Sequence, residues 1–452
     1  MVHALYIERH LLRNLYKGDL VNILDIIEKK RDNKKLTKQE INFFVREYTN
    51  GNIQDYQAAA LIMAIYINGM DMEEITDLTI SMAHSGDVLD LSSLGTVVDK
   101  HSTGGIGDKI TIILTPIIAS IGIPVAKMSG RGLGITGGTI DKLEAIPGFN
   151  TNVDIKTFIE NVRDIGISLI GQTIDLAPAD KKLYELRDTI CCTESIPLIA
   201  SSIMSKKIAA GAQKIVLDVT VGSGAFMKNI DDAKRLAITM KKIGELSNKE
   251  TICIITNMEE PLGYTIGNSL EIIEAVKCLQ GQLPDDIEKI VLELGAYIIK
   301  LAGKGNDINK NKELIIENIE NGNAYKKLLE LVKKQGGDIS YIQNPDKFKR
   351  PKYIKQIISC ETGYVKNIVA ERIGKICSYL GAGRINKSDS IDSQVGIILN
   401  KKVASKVKKK EVLATIYAND QEKLDIVLKE TLDSFIITDE KIEKPKYIID
   451  II

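Results

Sequence analysis

Two stretches of this chain set glycines, hydroxyls and cations side by side: Lys100-His101-Ser102-Thr103-Gly104-Gly105-Ile106-Gly107-Asp108-Lys109, and Lys127-Met128-Ser129-Gly130-Arg131-Gly132-Leu133-Gly134-Ile135-Thr136-Gly137-Gly138-Thr139. Glycine lets a backbone pass close to an oxyanion and turn its N–H groups toward it, serine and threonine add short donors, and lysine supplies countercharge. The chemistry this favours is phosphate binding. The spacing is neither that of a Walker loop nor that of a dinucleotide fingerprint, so one glycine-rich loop alone would carry little.

A second donor set lies further along. Ser202 and Lys206 are four residues apart, so on a helix they share a face and can converge on one planar ligand. Arg187 has Asp188 beside it, which allows either a guanidinium turned to a ligand or an ordinary surface ion pair. His101 is one of four histidines and the only one inside a motif, and imidazole can donate a proton near neutral pH.

The second glycine segment, with Ile140-Asp141-Lys142-Leu143-Glu144 behind it, resembles the signature of the thymidine phosphorylase and pyrimidine-nucleoside phosphorylase family. Gly171-Gln172-Thr173, Leu176-Ala177-Pro178-Ala179-Asp180-Lys181, Leu186-Arg187-Asp188, Ser201-Ser202-Ile203-Met204-Ser205-Lys206-Lys207 and Gly222-Ser223-Gly224-Ala225-Phe226-Met227 follow in the family's order. The resemblance runs from about Asp19 to the C-terminus and is closest to the bacterial pyrimidine-nucleoside phosphorylases. It implies reversible phosphorolysis of uridine, thymidine and deoxyuridine, giving free pyrimidine and ribose or deoxyribose 1-phosphate. It also implies a homodimer joined through a helical domain, no required cofactor, and inorganic phosphate as co-substrate. In the family the substrates bind in a cleft between the helical and α/β domains, and closure would exclude water.

Residue by residue, the resemblance puts Lys100, Ser102, Thr111, Ser129 and Thr139 on the phosphate. It puts Arg187, Ser202 and Lys206 on the O2/N3/O4 edge of the pyrimidine, with Leu133, Tyr184 and Phe226 lining the base pocket. His101 becomes the general acid toward the pyrimidine O2, and Lys100, Arg187 and Lys206 complete the catalytic set. Lys127 stands where the ribonucleoside-tolerant members carry lysine, and its ammonium could donate to a ribose 2′-hydroxyl, so uridine is expected as a substrate. The family's structural potassium site maps to Gly107, Leu262, Thr265 and Glu274, but Lys109 stands where some members have threonine, and its ammonium could replace the ion. Two departures bear on efficiency: Ile135 replaces a histidine beside the phosphate clamp, and Thr220 replaces a lysine. With every matched ligand present, the expectation is an active enzyme of altered efficiency.

The elements that must carry these residues are legible as patterns. At 452 residues, with 44% hydrophobic and 27% charged, the chain can build two or three cores. Lys+Arg and Asp+Glu are both 60, so no global field draws it to nucleic acid or to an anionic membrane, and a small partner is expected. Six cysteines at 191, 192, 253, 278, 360 and 377 include no Cys-x-x-Cys pair and read as free buried thiols. The N-terminus has charges too early for a signal peptide, and no apolar run reaches the roughly 20 residues of a membrane span, which together suggest the cytoplasm.

The fold class expected is α/β: a small all-helical domain, a larger mixed or parallel-sheet α/β domain, and an α+β C-terminal domain. Residues 1–18 read as an N-terminal extension and 19–85 as the first part of the helical domain, with a capping box at Thr37-Lys38-Gln39-Glu40. Residues 86–175 and 211–345 read as the two parts of the α/β domain, 176–210 as a return segment of the helical domain, and 346–452 as the C-terminal domain. In the α/β parts, short β-branched runs alternate with helical stretches: Thr96-Val97-Val98, Ile110 to Ile121, Pro124-Val125-Ala126, Ser168-Leu169-Ile170, Ile215 to Val219 and Thr251 to Ile255. Lys401, Lys402, Lys406, Lys408, Lys409 and Lys410 read as a solvated hairpin-like region.

Three alternatives stay open at this level. One is a strict thymidine phosphorylase. Another is a phosphoribosyltransferase related to the anthranilate enzyme, whose magnesium chemistry wants clustered carboxylates where only Asp108 lies in the first loop. The last is a catalytically degraded protein that binds nucleoside or phosphate, motivated by Ile135 and Thr220.

Overall fold

The computed structural model describes residues 21–132, 137–173, 175–384 and 389–452. Residues 1–18 therefore lie outside it, as do Leu133 and Ile135. The described residues form two compact units: one from residues 21–88 and 175–209, the other from the described residues of 89–173 and 210–452.

The first unit is helical, and its described part opens with α1 (Ile23–Arg31), α2 (Lys38–Thr49), α3 (Asp55–Asn68) and α4 (Met72–Ala83). The capping box expected at Thr37 is present: the Thr37 N–H donates to the Glu40 carboxylate at 2.7 Å and the Glu40 N–H donates to Thr37 Oγ1 at 3.3 Å. Asp71 and Glu74 repeat the device at the start of α4. Glu74 then does a second job, because its Oε1 takes the ammonium of buried Lys30 at 2.8 Å and the Leu36 N–H at 2.8 Å. Phe44, Leu61, Ile62, Leu78, Leu183 and Leu198 pack as this unit's core.

The second unit starts with β1 (Val98–Ser102), α5 (Ile110–Ser120), β2 (Val125–Ser129), α6 (Thr139–Leu143), α7 (Ile155–Ile165) and β3 (Ile167–Gly171). The chain then crosses to the helical unit for α8 (Pro178–Thr189) and α9 (Ile196–Ala209). It returns with β4 (Lys214–Val221), α10 (Ile230–Leu246), β5 (Glu250–Asn257), β6 (Thr265–Ile266), α11 (Asn268–Leu279), α12 (Asp285–Leu301), α13 (Ile308–Glu320) and α14 (Asn323–Lys334). β1, β4 and β5 pair in parallel, and β2 and β3 form a second parallel pair. The run Ile110–Ile121, β-branched though it is, folds as α5, because Ile110 through Ala119 are buried on every side and an all-round apolar helix carries no periodic signal.

The C-terminal part brings β7 (Tyr353–Ile358), β8 (Gly363–Ile368), α15 (Ala370–Leu380), β9 (Gly396–Leu399), β10 (Lys406–Val407), β11 (Val412–Ala418), α16 (Gln421–Leu432), β12 (Phe435–Thr438) and β13 (Ile448–Ile451). Two antiparallel sheets, ordered β6-β9-β11-β7 and β10-β8-β12, enclose a core of their own. Strands are exchanged with the α/β part: β6 is its contribution to the first of these sheets, and β13 pairs antiparallel with β5. The solvated account of the lysine run fails at Lys402, whose ammonium bonds the carbonyls of Pro261 and Gly263 and sits 2.9 Å from Asp286 and 3.4 Å from Glu260. Of the six cysteines, 192, 253, 278 and 377 are buried and 191 and 360 exposed, so the buried-thiol expectation holds for four. No described helix is long and apolar enough to cross a membrane.

Candidate active site

β1 delivers the first loop. Alternation along the strand puts Lys100 and Ser102 on one face and Asp99 and His101 on the other. Lys100 is 2% exposed, its ammonium is 3.4 Å from Asp218 Oδ2 on neighbouring β4, and it has no hydrogen-bond partner among the described residues. Asp218 is held in turn by Thr256, whose hydroxyl donates to it at 2.6 Å. Burial pushes the Asp218 carboxyl up, and Lys100 only partly offsets this. Burial acts the same way on Asp108, but Lys100 and Lys142, with hydrogen bonds from Ser102 and the Ile110 N–H, outweigh it and hold that carboxyl below its ordinary value.

The loop itself is pinned to β4. Thr220 donates its N–H to Thr103 Oγ1 at 3.0 Å and its hydroxyl to the Gly104 carbonyl at 2.5 Å, while the two hydroxyls lie 2.9 Å apart. The residue that departs from the family pattern is thus a structural tie of the first loop. Gly104 has φ of +97°, a conformation that favours glycine, and a Cβ there would lie 3.7 Å from the ring of Phe226, which is 41% exposed. Gly107 allows the loop to approach Leu262, whose carbonyl oxygen would stand 2.6 Å from any Cβ.

Lys109, wholly buried, donates to the carbonyls of Leu262 at 2.8 Å and Thr265 at 3.0 Å and to Glu274 Oε2 at 2.6 Å. Glu274 also accepts the N–H groups of Tyr264 and Thr265 and the Thr265 hydroxyl. Burial alone would lower the Lys109 pKa, but Glu274, Glu271 and Asp286 together outweigh it, and the ammonium sits above the ordinary lysine range. Three residues of the cation site expected from sequence, Leu262, Thr265 and Glu274, therefore surround the Lys109 ammonium.

Thr111 is buried in α5, Ser129 is buried at the end of β2, and half-buried Thr139 opens α6. Gly132 and Gly138 lie close together: a Cβ on Gly138 would fall 2.1 Å from the Gly132 nitrogen. Lys127 points elsewhere. Its ammonium is 3.2 Å from buried Asp99 and donates to the Met128 carbonyl at 3.0 Å, so a 2′-hydroxyl would have to compete with both.

In the helical unit, Ala177 takes a left-handed φ of +47° and Pro178 opens α8, which sets Asp180, Tyr184 and Arg187 along one helical face. Arg187 is 3% exposed and donates to the carbonyls of Cys192, Leu198 and Thr193 at 3.1, 3.1 and 2.7 Å. It lies 5.8 Å from the Tyr184 ring centroid and is not the surface ion pair that Asp188 allowed. A guanidinium has five N–H donors, so three carbonyls leave donor capacity for a ligand. On α9, Lys206 donates to Ser202 Oγ at 2.8 Å, the shared face that the four-residue spacing implied, and to Asp180 Oδ2 at 2.6 Å.

Asp180, Asp218, Asp99 and Thr220 are the residues to which sequence reasoning gave no positioning role. Asp180 had a signal in its spacing from Tyr184 and Arg187; Asp99 and Asp218 had none, because each is defined by a lysine on another strand.

Comparison with known families matches residues 24–86 to the helical bundle domain of the glycosyl transferase family, 94–325 to its a/b domain, and 364–438 to the pyrimidine nucleoside phosphorylase C-terminal domain. Pyrimidine-nucleoside phosphorylase from Geobacillus stearothermophilus is 48% identical over 431 residues, covering 95% of this chain and 99% of the relative. The enzyme of the same description from Staphylococcus epidermidis is 50% identical over 433 residues, covering 96% and 100%. Among solved structures, anthranilate phosphoribosyltransferase from Thermus thermophilus superposes with a TM-score of 0.58 at 17% identity, over 69% of this chain and 99% of that one, a likeness of fold.

Proposed function

Because this chain belongs to the pyrimidine-nucleoside phosphorylase family, we propose that it catalyses the reversible phosphorolysis of uridine, thymidine and deoxyuridine. A phosphate oxygen forms the new bond to C1′ while the glycosidic bond breaks, its electron pair leaving with the pyrimidine. The products are the free base and the pentose 1-phosphate. Positioning and fixed donors supply the rate enhancement, without a covalent intermediate.

The observation that carries this assignment is the Lys100 ammonium, buried beside the glycine loop with its hydrogen-bonding capacity unmet. Asp218 at 3.4 Å balances its charge without taking up its N–H donors, which are left for the oxygens of an incoming anion. Ser102, Thr111, Ser129 and Thr139 supply hydroxyl donors to the same phosphate. Arg187, Ser202 and Lys206 take the pyrimidine edge, and Asp180 keeps the Lys206 ammonium aimed. His101 protonates the base as it leaves, from the strand face opposite Lys100. The decisive experiment is free-base release from each nucleoside with and without inorganic phosphate. Phosphate-dependent release from all three is expected; thymidine and deoxyuridine alone would make it a strict thymidine phosphorylase, and binding without release a degraded one.

Lys109 takes the place of a structural monovalent cation, on the strength of its two carbonyls and one carboxylate. Activity equal in potassium-free and potassium-containing buffer is expected, and potassium dependence of the wild type would refute this. The working form is a homodimer through the helical unit, supported by an apolar stripe on α3 where Tyr56 is 74%, Met63 38% and Ile67 71% exposed. Sedimentation at monomer mass would overturn it. Cytoplasmic location belongs to the same proposal, and fractionation of cells tests it.

A further inference from the structure

Asp141 sits two residues into α6 and is 5% exposed, yet it takes part in no step described above. Its Oδ2 accepts the Gly132 N–H at 2.6 Å, and its Oδ1 lies 3.0 Å from an Arg384 Nη2 and 3.3 Å from an Arg131 Nη1. Arg131 is half exposed and is shared with Glu144, to which it is bound at 2.5 and 2.7 Å. Arg384 is the more enclosed cation, with its side chain 18% exposed. A buried carboxylate needs such a countercharge, and Arg384 is the enclosed ion-pair partner of the carboxylate that holds Gly132.

Arg384 comes from the C-terminal part of the chain, and the turn that delivers it is fixed on several sides. α15 is capped by Gly381, whose φ is +110°. The Ala382 N–H donates to the Cys377 carbonyl at 2.9 Å, and the Ala382 carbonyl accepts from the side chain of buried Asn268 at 2.8 Å. A Cβ on Gly383 would meet Ser378 Oγ at 2.7 Å. Ala382, two residues before Arg384, is therefore tied both to α15 and to Asn268 at the start of α11.

The held point, Gly132, lies at the neck of the second glycine loop, between Ser129 and Thr139. We propose that Arg384 is a positioning residue for phosphate binding: through Asp141 it fixes the neck of the second loop and with it the hydroxyls of Ser129 and Thr139. This gives the C-terminal part a role in the chemistry, and it rests on the assignment of those two hydroxyls to phosphate. Lys142, the next residue, secures the same helix from the other side, donating to the Asp108 carbonyl at 2.5 Å and pairing with Glu271 at 2.6 Å.

The test uses the full-length protein and reads phosphate and uracil binding by calorimetry alongside steady-state KM values. Arg384→Ala is expected to weaken phosphate binding and raise its KM about tenfold, with uracil binding and the nucleoside KM within twofold of wild type. Arg384→Lys should recover part of the loss, millimolar guanidinium should restore phosphate binding to Arg384→Ala, and Asp141→Asn combined with Arg384→Ala should be no worse than Asp141→Asn alone. Phosphate affinity within twofold of wild type in a folded Arg384→Ala protein, or phosphate and uracil weakened alike, would overturn the proposal. A wild type that binds phosphate but releases no base would sink the phosphorylase assignment while leaving this measurement intact.

Discussion

The two ligand regions differ in how their lysines are satisfied. On α9, Lys206 is matched at once by Asp180 at 2.6 Å and Ser202 at 2.8 Å, so the face is built before any ligand arrives. Beside the first glycine loop, Lys100 has an ion-pair partner at 3.4 Å and no hydrogen bond among the described residues. The contrast follows the ligands each region is assigned. A neutral planar base is recognised by donors held in fixed directions, whereas a phosphate brings charge of its own and completes a cation the fold has left underused. Lys109, nine residues beyond Lys100 in the same loop, shows the third state, a buried ammonium with every direction filled.

The strongest way to break this contrast is Lys100→Ala, which should cut phosphate-dependent base release about a thousandfold while uracil binding persists. Loss confined to uracil binding would reverse the roles of the two regions. Glu274→Gln comes next and acts on stability, since it leaves Lys109 buried without its carboxylate; about 3 kcal/mol is expected in chemical denaturation. Its pH signature has a definite sign. Burial pushes Glu274 up, but Lys109 and the bonds from Tyr264 and Thr265 outweigh it and hold the carboxyl below its ordinary value. A carboxyl lower in the folded than in the unfolded chain adds stability above the unfolded pKa, roughly 4.3, and loses it as pH falls toward the folded value. The wild type should therefore lose more stability than Glu274→Gln on acidification below about pH 5.

His101→Ala should lower turnover about a hundredfold with phosphate affinity unchanged, because His101 and Lys100 occupy opposite faces of β1. Equal losses in both would remove the acid role. Asp180→Asn sharpens the comparison from the helical side, with about a tenfold rise in the nucleoside KM and none in the phosphate KM. A shift in the phosphate KM instead would mean that Asp180 does not act through Lys206.

By itself the sequence determined whatever depends on short spacing. The capping box at Thr37 and Glu40, the shared face of Ser202 and Lys206, the strand-helix alternation and the two glycine loops are all written within a few residues, where backbone geometry converts spacing directly into direction. Family resemblance added which hydroxyls and cations to watch, including Lys109 against Glu274. Only the tertiary structure decided how those groups are held. Asp218 beneath Lys100, Asp99 on Lys127, the tie of Thr220 to the first loop, and Arg384 on Asp141 across 243 residues of chain have no local pattern. Nor did Lys402, read as solvated and found among two carbonyls and two carboxylates, or α5, whose β-branched run is a helix because its neighbours bury it on all sides. A charge's partner is set by which distant element removes it from water, and that is a property of the packed chain, not of spacing along it.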